Sequence, residues 1–216
     1  MMEYIAKKLP EGMGCMPLEG VFTPDSIAGA YAALNEATVA EYVWPDEGYR
    51  PEVHARVGWN EKGVHVLMYA LEPMIRAECR EIGGMVCVDS CMEFFFMPFP
   101  EADKRYFNAE MNPLGTLHLG LGEERHGRVR LCDELPEGCE ICTSVHDGAW
   151  WAISYTIPMS HIEAVFGRKL ASGQKMLGNF YCCDETIHPH FGTWAPVVAP
   201  KPDFHRPECF QPIIIE

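Results

Sequence analysis

The pattern of hydrophobic and polar positions predicts a protein built from short β-strands. Apolar and polar residues alternate over residues 53–59 and again over residues 64–68, with a Gly-containing turn at residues 60–63 between the two runs. A period of two places alternate side chains on one face of a sheet, and two such runs joined by a tight turn are typical of a β-hairpin. We therefore predict a hairpin over residues 53–68.

A second predicted hairpin, over residues 86–112, organises the rest of the chain. Its two alternating runs each have an apolar side, and the linker between them carries Pro98, Pro100 and charged residues. The other side of the two runs carries a row of hydrogen-bonding groups, here called the polar face: Glu93, Tyr106, Asn108, Glu110 and Asn112. Carboxylates, amides and a phenol held on a rigid sheet can form hydrogen bonds with the hydroxyls of a polyol. We therefore predict that these five residues bind a hydroxyl-rich ligand.

Further apolar runs divided by Gly, Pro or charged clusters predict strands at residues 18–22, 116–121, 127–132, 139–146, 149–157, 175–183 and 210–215. Residues 1–22 are predicted to be an N-terminal arm that ends in the first of these strands, and residues 184–207 a long loop. About ten or more short, mostly antiparallel strands predict one all-β domain over residues 1–216, and a β-sandwich rather than a barrel.

Helix signals are few in this sequence. Ser160 is predicted as the N-cap of one short helix over residues 160–166, with Glu163 in the capping-box position and Gly167 at its end. Residues 28–35 are ambiguous between a short helix and irregular structure, because Gly29 weakens the helical pattern.

Composition limits the class of partner and the compartment. The net charge of −14 argues against nucleic acid and against an anionic membrane surface. No apolar run reaches the ~20 residues of a membrane span, and the first residues have no apolar signal region, so we expect a cytoplasmic protein. The ten cysteines are then expected to be free thiols, since most follow the apolar strand pattern. The sequence does not indicate an oligomeric state.

Two groups of residues leave an enzymatic alternative open. Glu93 and Glu110 could face each other across the hairpin, and paired carboxylates are the catalytic groups of glycosidases. His188 and His190, with His205 farther along the same loop, are candidate ligands for Zn or Fe. The plain alternatives are a carboxylate pair that binds hydroxyls or water, and a loop that is polar for other reasons.

Trp194 lies in a loop between Gly and Pro-containing segments rather than in a periodic strand. An indole in such a place either plugs the core or offers a stacking surface for the apolar face of a sugar ring. We predict the second role, with Trp194 as an aromatic platform beside the polar face.

Five motifs in this order resemble the family 9 carbohydrate-binding modules, and more closely a bacterial branch of small standalone proteins: residues 89–95 (DSCMEFF), 106–115 (YFNAEMNPLG), 179–184 (NFYCCD), 189–194 (PHFGTW) and 202–210 (PDFHRPECF). The resemblance extends from about residue 53 to the C-terminus. It implies a β-sandwich that binds a monosaccharide or the end of a sugar chain.

The resemblance also implies site residues. In the family two tryptophans sandwich the sugar while Glu, Arg and Asn bond its hydroxyls; Glu93 matches the glutamate and Trp194 the second tryptophan. Cys87 stands where the first tryptophan is expected, and Phe107 where the arginine is expected. Structural calcium is possible by the same resemblance, and no other cofactor is expected. The sequence thus predicts non-catalytic carbohydrate binding linked to carbohydrate metabolism, with an enzyme acting on a sugar or sugar acid as the alternative.

Overall fold

The computed structural model describes residues 2–45, 48–131 and 134–216, and within them the chain forms thirteen strands and one α-helix. The strands are β1 (Tyr4–Lys8), β2 (Ala37–Val39), β3 (Glu52–Asn60), β4 (Gly63–Leu71), β5 (Cys91–Met97), β6 (Tyr106–Met111), β7 (Leu117–Gly122), β8 (Val129–Arg130), β9 (Ile141–His146), β10 (Trp150–Pro158), β11 (Lys175–Asp184), β12 (His190–Thr193) and β13 (Gln211–Ile215). The helix α1 (Met159–Phe166) is too short to cross a membrane, and no described helix is long and apolar enough to do so.

The strands form two layers that are joined through β1. One layer has the order β8-β7-β6-β5-β11-β13-β1, and the other has the order β1-β3-β4-β10-β9. Strand β12 pairs with the C-terminal part of β11, and β2 pairs with β3. All pairs are antiparallel except the two that β1 makes, with β13 and with β3. The predicted β-sandwich of mostly antiparallel strands is confirmed.

The alternating pattern accounts for three apolar clusters. Between the layers lie the inward residues of both predicted hairpins, such as Val57, Val66, Phe94 and Phe107. On the outer side of the β5–β6–β11 sheet a second cluster is covered by residues 195–210. On the outer side of the other sheet a third cluster is covered by the N-terminal arm. The polar face therefore lies on the outer side of the first sheet, beside the second apolar cluster.

Both hairpins have the predicted faces. In the first, residues 53–60 pair antiparallel with residues 63–70 across the turn. In the second, Phe94 and Phe96 enter the core while Glu93 and Phe95 face outward. Asp89 explains how this hairpin begins, because its Oδ2 accepts hydrogen bonds from the backbone N–H groups of Glu78 and Cys79 at 3.0 and 2.8 Å.

Several smaller predictions were wrong. Residues 18–22 form a turn rather than a strand, although Leu18 and Phe22 are buried as an apolar strand pattern would require. Ser160 is not the N-cap, because the helix begins at Met159 after Pro158; Gly167 ends it as predicted, with a φ of 70°. The ambiguous region 28–35 holds only a 3-10 turn at Gly29–Ala33.

Three strands were not predicted: β1 and β2, which are short, and β12, which lies inside the region predicted to be a loop. The strand predicted over residues 127–132 is reduced to Val129–Arg130, and Cys132 lies outside the described residues.

Candidate functional site

Glu93 of β5 and Glu110 of β6 are directly opposite each other in the antiparallel register. Glu93 is only 2% exposed, whereas Glu110 is half-buried and reaches the surface. The Cys183 thiol of β11 donates a hydrogen bond to Glu93 Oε1 at 3.3 Å. Burial raises the pKa of both carboxyls, and the neighbouring Glu110 raises that of Glu93 further. The polar face thus presents two acceptors at different depths.

Asn108 connects this pair to a guanidinium. Its Nδ2 donates to Glu110 Oε1 at 2.7 Å, and its Oδ1 accepts from Arg128 Nε at 3.1 Å and Nη2 at 2.7 Å. Glu110 is therefore held by a hydrogen-bonded chain that begins at a cation. Because the amide of Asn108 is used in this chain, its main contribution is to orient Glu110.

Tyr106 is fully buried below this chain and positions two groups at the surface. Its hydroxyl is 2.9 Å from His205 Nδ1, and its ring lies 4.2 Å from the Cζ atom of Arg128. Burial lowers the pKa of His205 to about 3, helped by the charges of Arg128 and Arg125, so the imidazole is neutral. Tyr106 supports the site and does not itself offer a hydroxyl to solvent.

These groups surround a small pocket of about 90 Å³, which is below the ~300–1,000 Å³ of typical small-molecule sites. Glu93, Glu110 and Cys183 form the floor. Phe191 and Phe204 form an aromatic wall, packed edge-on at 6.2 Å between ring centroids. The rim includes Arg125, Asp203, Glu185, Cys87 and His205.

Asn112 does not belong to the pocket, which corrects the prediction that it binds ligand. It is fully buried, and its Nδ2 donates to Cys79 O and to Asp89 Oδ2, both at 2.8 Å. Its Oδ1 accepts from the backbone N–H groups of Leu114 and Thr116. Its amide therefore fixes the turn after β6 and ties this turn to the segment that precedes β5.

Trp194 is a core residue and not an aromatic platform. It is 6% exposed and packs against Tyr4 and Phe180 at 6.4 and 5.5 Å between ring centroids, in the cluster between the layers. Phe191, three residues earlier, pairs with Cys183 and lines the pocket on the Glu93 side. An odd separation along a strand reverses the face, so Trp194 lies on the opposite side of the sheet.

The three candidate histidine ligands do not converge. His190 Nδ1 is 2.8 Å from the backbone oxygen of His188, and Tyr49 packs against both rings. His205 instead contacts Tyr106 at the pocket. Within the described residues no three carboxylates converge either, so this part of the chain offers no acidic cluster to which the calcium of the resemblance can be assigned.

The sequence profile of carbohydrate-binding family 9 matches residues 27–215. The chain belongs to carbohydrate-binding family 9. A candidate carbohydrate-binding protein from Bacteroides uniformis is similar over 86% of this chain and 88% of its own, with 28% identity and a TM-score of 0.75. No curated protein sequence matches the chain.

Two structures of a family 9 module from Caldicellulosiruptor kristjanssonii have the same fold. The complex with cellotriose has a TM-score of 0.63 at 7% identity, over 100% of this chain and 94% of that one. The complex with glucose has a TM-score of 0.62 at 9% identity, over 99% of this chain and 94% of that one.

The two departures from the family 9 pattern have different structural outcomes. Cys87 lines the pocket, so the position expected to hold a tryptophan is at the site but without an aromatic ring. Phe107 is buried in the core, and a guanidinium is supplied instead by Arg128 from the segment that leads into β8. Sequence reasoning missed Arg125, Arg128 and Phe191; Phe191 was missed because β12 lies in a region predicted to be a loop.

Proposed function

We propose that this protein binds a mono- or oligosaccharide without catalysis, in the pocket above Glu93 and Glu110. The observation that carries the proposal is the opposed carboxylate pair on the floor of an aromatic-walled pocket in a family 9 fold. Hydroxyls of the sugar donate to Glu110 and Glu93, and its apolar face lies against Phe191. The cellotriose and glucose complexes of the Caldicellulosiruptor kristjanssonii module support this class of ligand.

The arrangement of the carboxylates favours binding over hydrolysis. Glycosidase carboxylates flank the scissile bond, at about 5–9 Å from each other. Directly opposed residues of an antiparallel pair have Cβ atoms about 4.5–5.5 Å apart and project from one face of the sheet. Glu93 and Glu110 therefore approach a ligand from the same side. The deeper Glu93, at 2% exposure, has little room for a leaving group or an attacking water.

We further propose that the protein acts in the cytoplasm as part of carbohydrate metabolism. The high cysteine content supports this compartment, because no disulfide joins cysteines within residues 2–45, 48–131 and 134–216.

The test is calorimetric titration of the full chain with mono- and disaccharides, including glucose and cellobiose. A hydrogen bond to a charged acceptor is worth about 1.5–3 kcal/mol, so Glu110→Gln should weaken binding roughly ten- to a hundredfold. Glu3→Gln, an exposed glutamate on the N-terminal arm, is the matched control and should bind as the wild type does. Equal affinities of Glu110→Gln and Glu3→Gln for a sugar that binds would exclude this pocket.

A further inference from the structure

Three side chains with metal-ligating atoms converge at the floor of the pocket. Cys91 and Cys183 are directly opposed in the β5–β11 pairing, and Glu93 is the next outward-facing residue of β5. The two Sγ atoms and a carboxylate oxygen of Glu93 all lie within 4.8 Å of one another. This is the one such group of three within the described residues.

We propose that Cys91, Glu93 and Cys183 form a binding site for one Zn²⁺ ion. Two sulfur ligands and one oxygen ligand suit this borderline-soft ion, whereas Ca²⁺ and Mg²⁺ require oxygen ligands only. Bonds of about 2.3 Å to sulfur and 2.0–2.2 Å to oxygen hold the atoms of a tetrahedral site roughly 3.5–3.8 Å apart. Shifts of about 1 Å or less would satisfy this geometry.

The charges around Glu93 support a cation at this point. Glu93 is 2% exposed, and its nearest charged neighbour on the sheet is the like-charged Glu110. None of the ion pairs within the described part of the chain includes Glu93. An isolated buried charge is costly, so a cation bound at this point would stabilise the ionised form of the Glu93 carboxyl, which is the form that ligates metal. A divalent ion would neutralise two of the three negative charges of the ligand set.

The pocket also determines the access and coordination of the ion. Glu93 and Cys183 line the pocket while Cys91 lies behind them, so an ion can enter from solvent and contact all three. Three protein ligands leave a fourth tetrahedral position open towards the pocket. Water or, if the proposed function holds, a sugar hydroxyl would occupy that position.

The experiment uses the full chain, freed of metal by a chelator and kept reduced. Titration with Zn²⁺ should reveal one site per chain by calorimetry. Co²⁺, used as a spectroscopic substitute, should give a thiolate-to-metal charge-transfer band. We expect Cys183→Ala to weaken Zn²⁺ binding at least a hundredfold. Cys142→Ala is the matched control, because Cys142 belongs to a second thiol pair, 3.2 Å from Cys15 Sγ, and should leave binding unchanged.

Three results would overturn the proposal: a wild-type protein with no charge-transfer band, an equal loss of binding in Cys142→Ala, or a Cys91–Cys183 disulfide in protein never exposed to oxidant. The wild-type cobalt spectrum decides the question even if Cys183→Ala fails to fold. Sugar titration in the presence of chelator, done separately, tests the proposed function independently of the metal.

Discussion

The guanidinium of Arg128 lies over the ring of Tyr106, with Cζ 4.2 Å from the ring centroid, and its Nη2 also donates to the backbone oxygen of Tyr106 at 2.9 Å. The same guanidinium donates twice to Asn108, which donates to Glu110. A cation outside the predicted polar face thus sets the direction of its most accessible carboxylate.

We expect Arg128→Lys to weaken sugar binding by about tenfold. A lysine ammonium cannot make the paired bonds to Asn108 while stacking on Tyr106, so Glu110 loses its fixed orientation. The loss of one charge-assisted hydrogen bond of about 1.5 kcal/mol corresponds to this factor. Calorimetric titration measures it, with Arg130→Lys as the control, since Arg130 is exposed and two residues farther along the chain. Equal affinities of the two variants would show that Arg128 does not position the site.

The core position of Trp194 predicts a loss of stability, not a specific loss of binding, in Trp194→Ala. Removing a buried aromatic side chain costs about 3–5 kcal/mol of unfolding free energy. Phe191→Leu should do the reverse: a modest effect on stability, and sugar binding weakened about two- to tenfold as the aromatic surface is lost. Denaturant unfolding and calorimetric titration of both variants separate the two roles. Unchanged stability in Trp194→Ala would contradict the core assignment.

The buried carboxyl of Glu72 predicts that stability falls as the pH rises. Trp151 Nε1 and Ser90 Oγ donate to it at 2.6 and 3.0 Å, yet burial raises its pKa to about 7 from the usual 4.5. The folded state therefore binds a proton more tightly than the unfolded state. Its contribution, on the order of 3 kcal/mol, is complete below pH 4.5 and is lost as the pH rises through 7.

Glu72→Gln removes this titration while keeping the shape of the side chain. Denaturant unfolding between pH 4.5 and 8 should give a steeper decline for the wild type than for Glu72→Gln. The difference between the two proteins isolates Glu72, because Glu93 and Glu110 titrate in both. Parallel stability curves for the two proteins would contradict the raised pKa.

Most of the fold, and the carboxylate pair of the site, could be predicted from period-two alternation in the sequence. It identified both hairpins and the faces of Glu93, Glu110 and Phe94, because buried strands with one polar face leave that pattern directly in the sequence. It could not supply Arg125, which lines the pocket, or Arg128, which bonds Asn108, because both lie in irregular structure between β7 and β8. Trp194 was misplaced because β12 was predicted to be a loop, so no face could be predicted for the residue that directly follows this strand.

The burial of Asn112 could not be predicted from the sequence either. It alternates correctly with Met111 but lies past the end of β6, where its amide holds a turn instead of facing the pocket. The alternating pattern gives the face of a side chain, and burial depends on which loop covers it.

We expect all ten cysteines to react as free thiols in denaturant, without reductant, in freshly purified protein. Nine lie in the described residues, where none is joined in a disulfide. Cys15 and Cys142 are close enough to form a disulfide on oxidation, since their half-buried sulfurs lie 3.2 Å apart. Burial raises the pKa of Cys15, which slows its oxidation. A count of six or fewer thiols would contradict the proposed cytoplasmic location.

We expect the protein not to hydrolyse glycosides. Nothing in the sequence indicated a raised carboxyl pKa, yet burial and Glu110 do raise the pKa of Glu93, a property of many general acids. The burial of Glu93 argues against hydrolysis, because at 2% exposure it has little room beside it for a leaving group or an attacking water. Incubation with aryl glycosides and short oligosaccharides should give no product above buffer. Turnover that disappears in both Glu93→Gln and Glu110→Gln, with folding intact, would establish the enzymatic alternative.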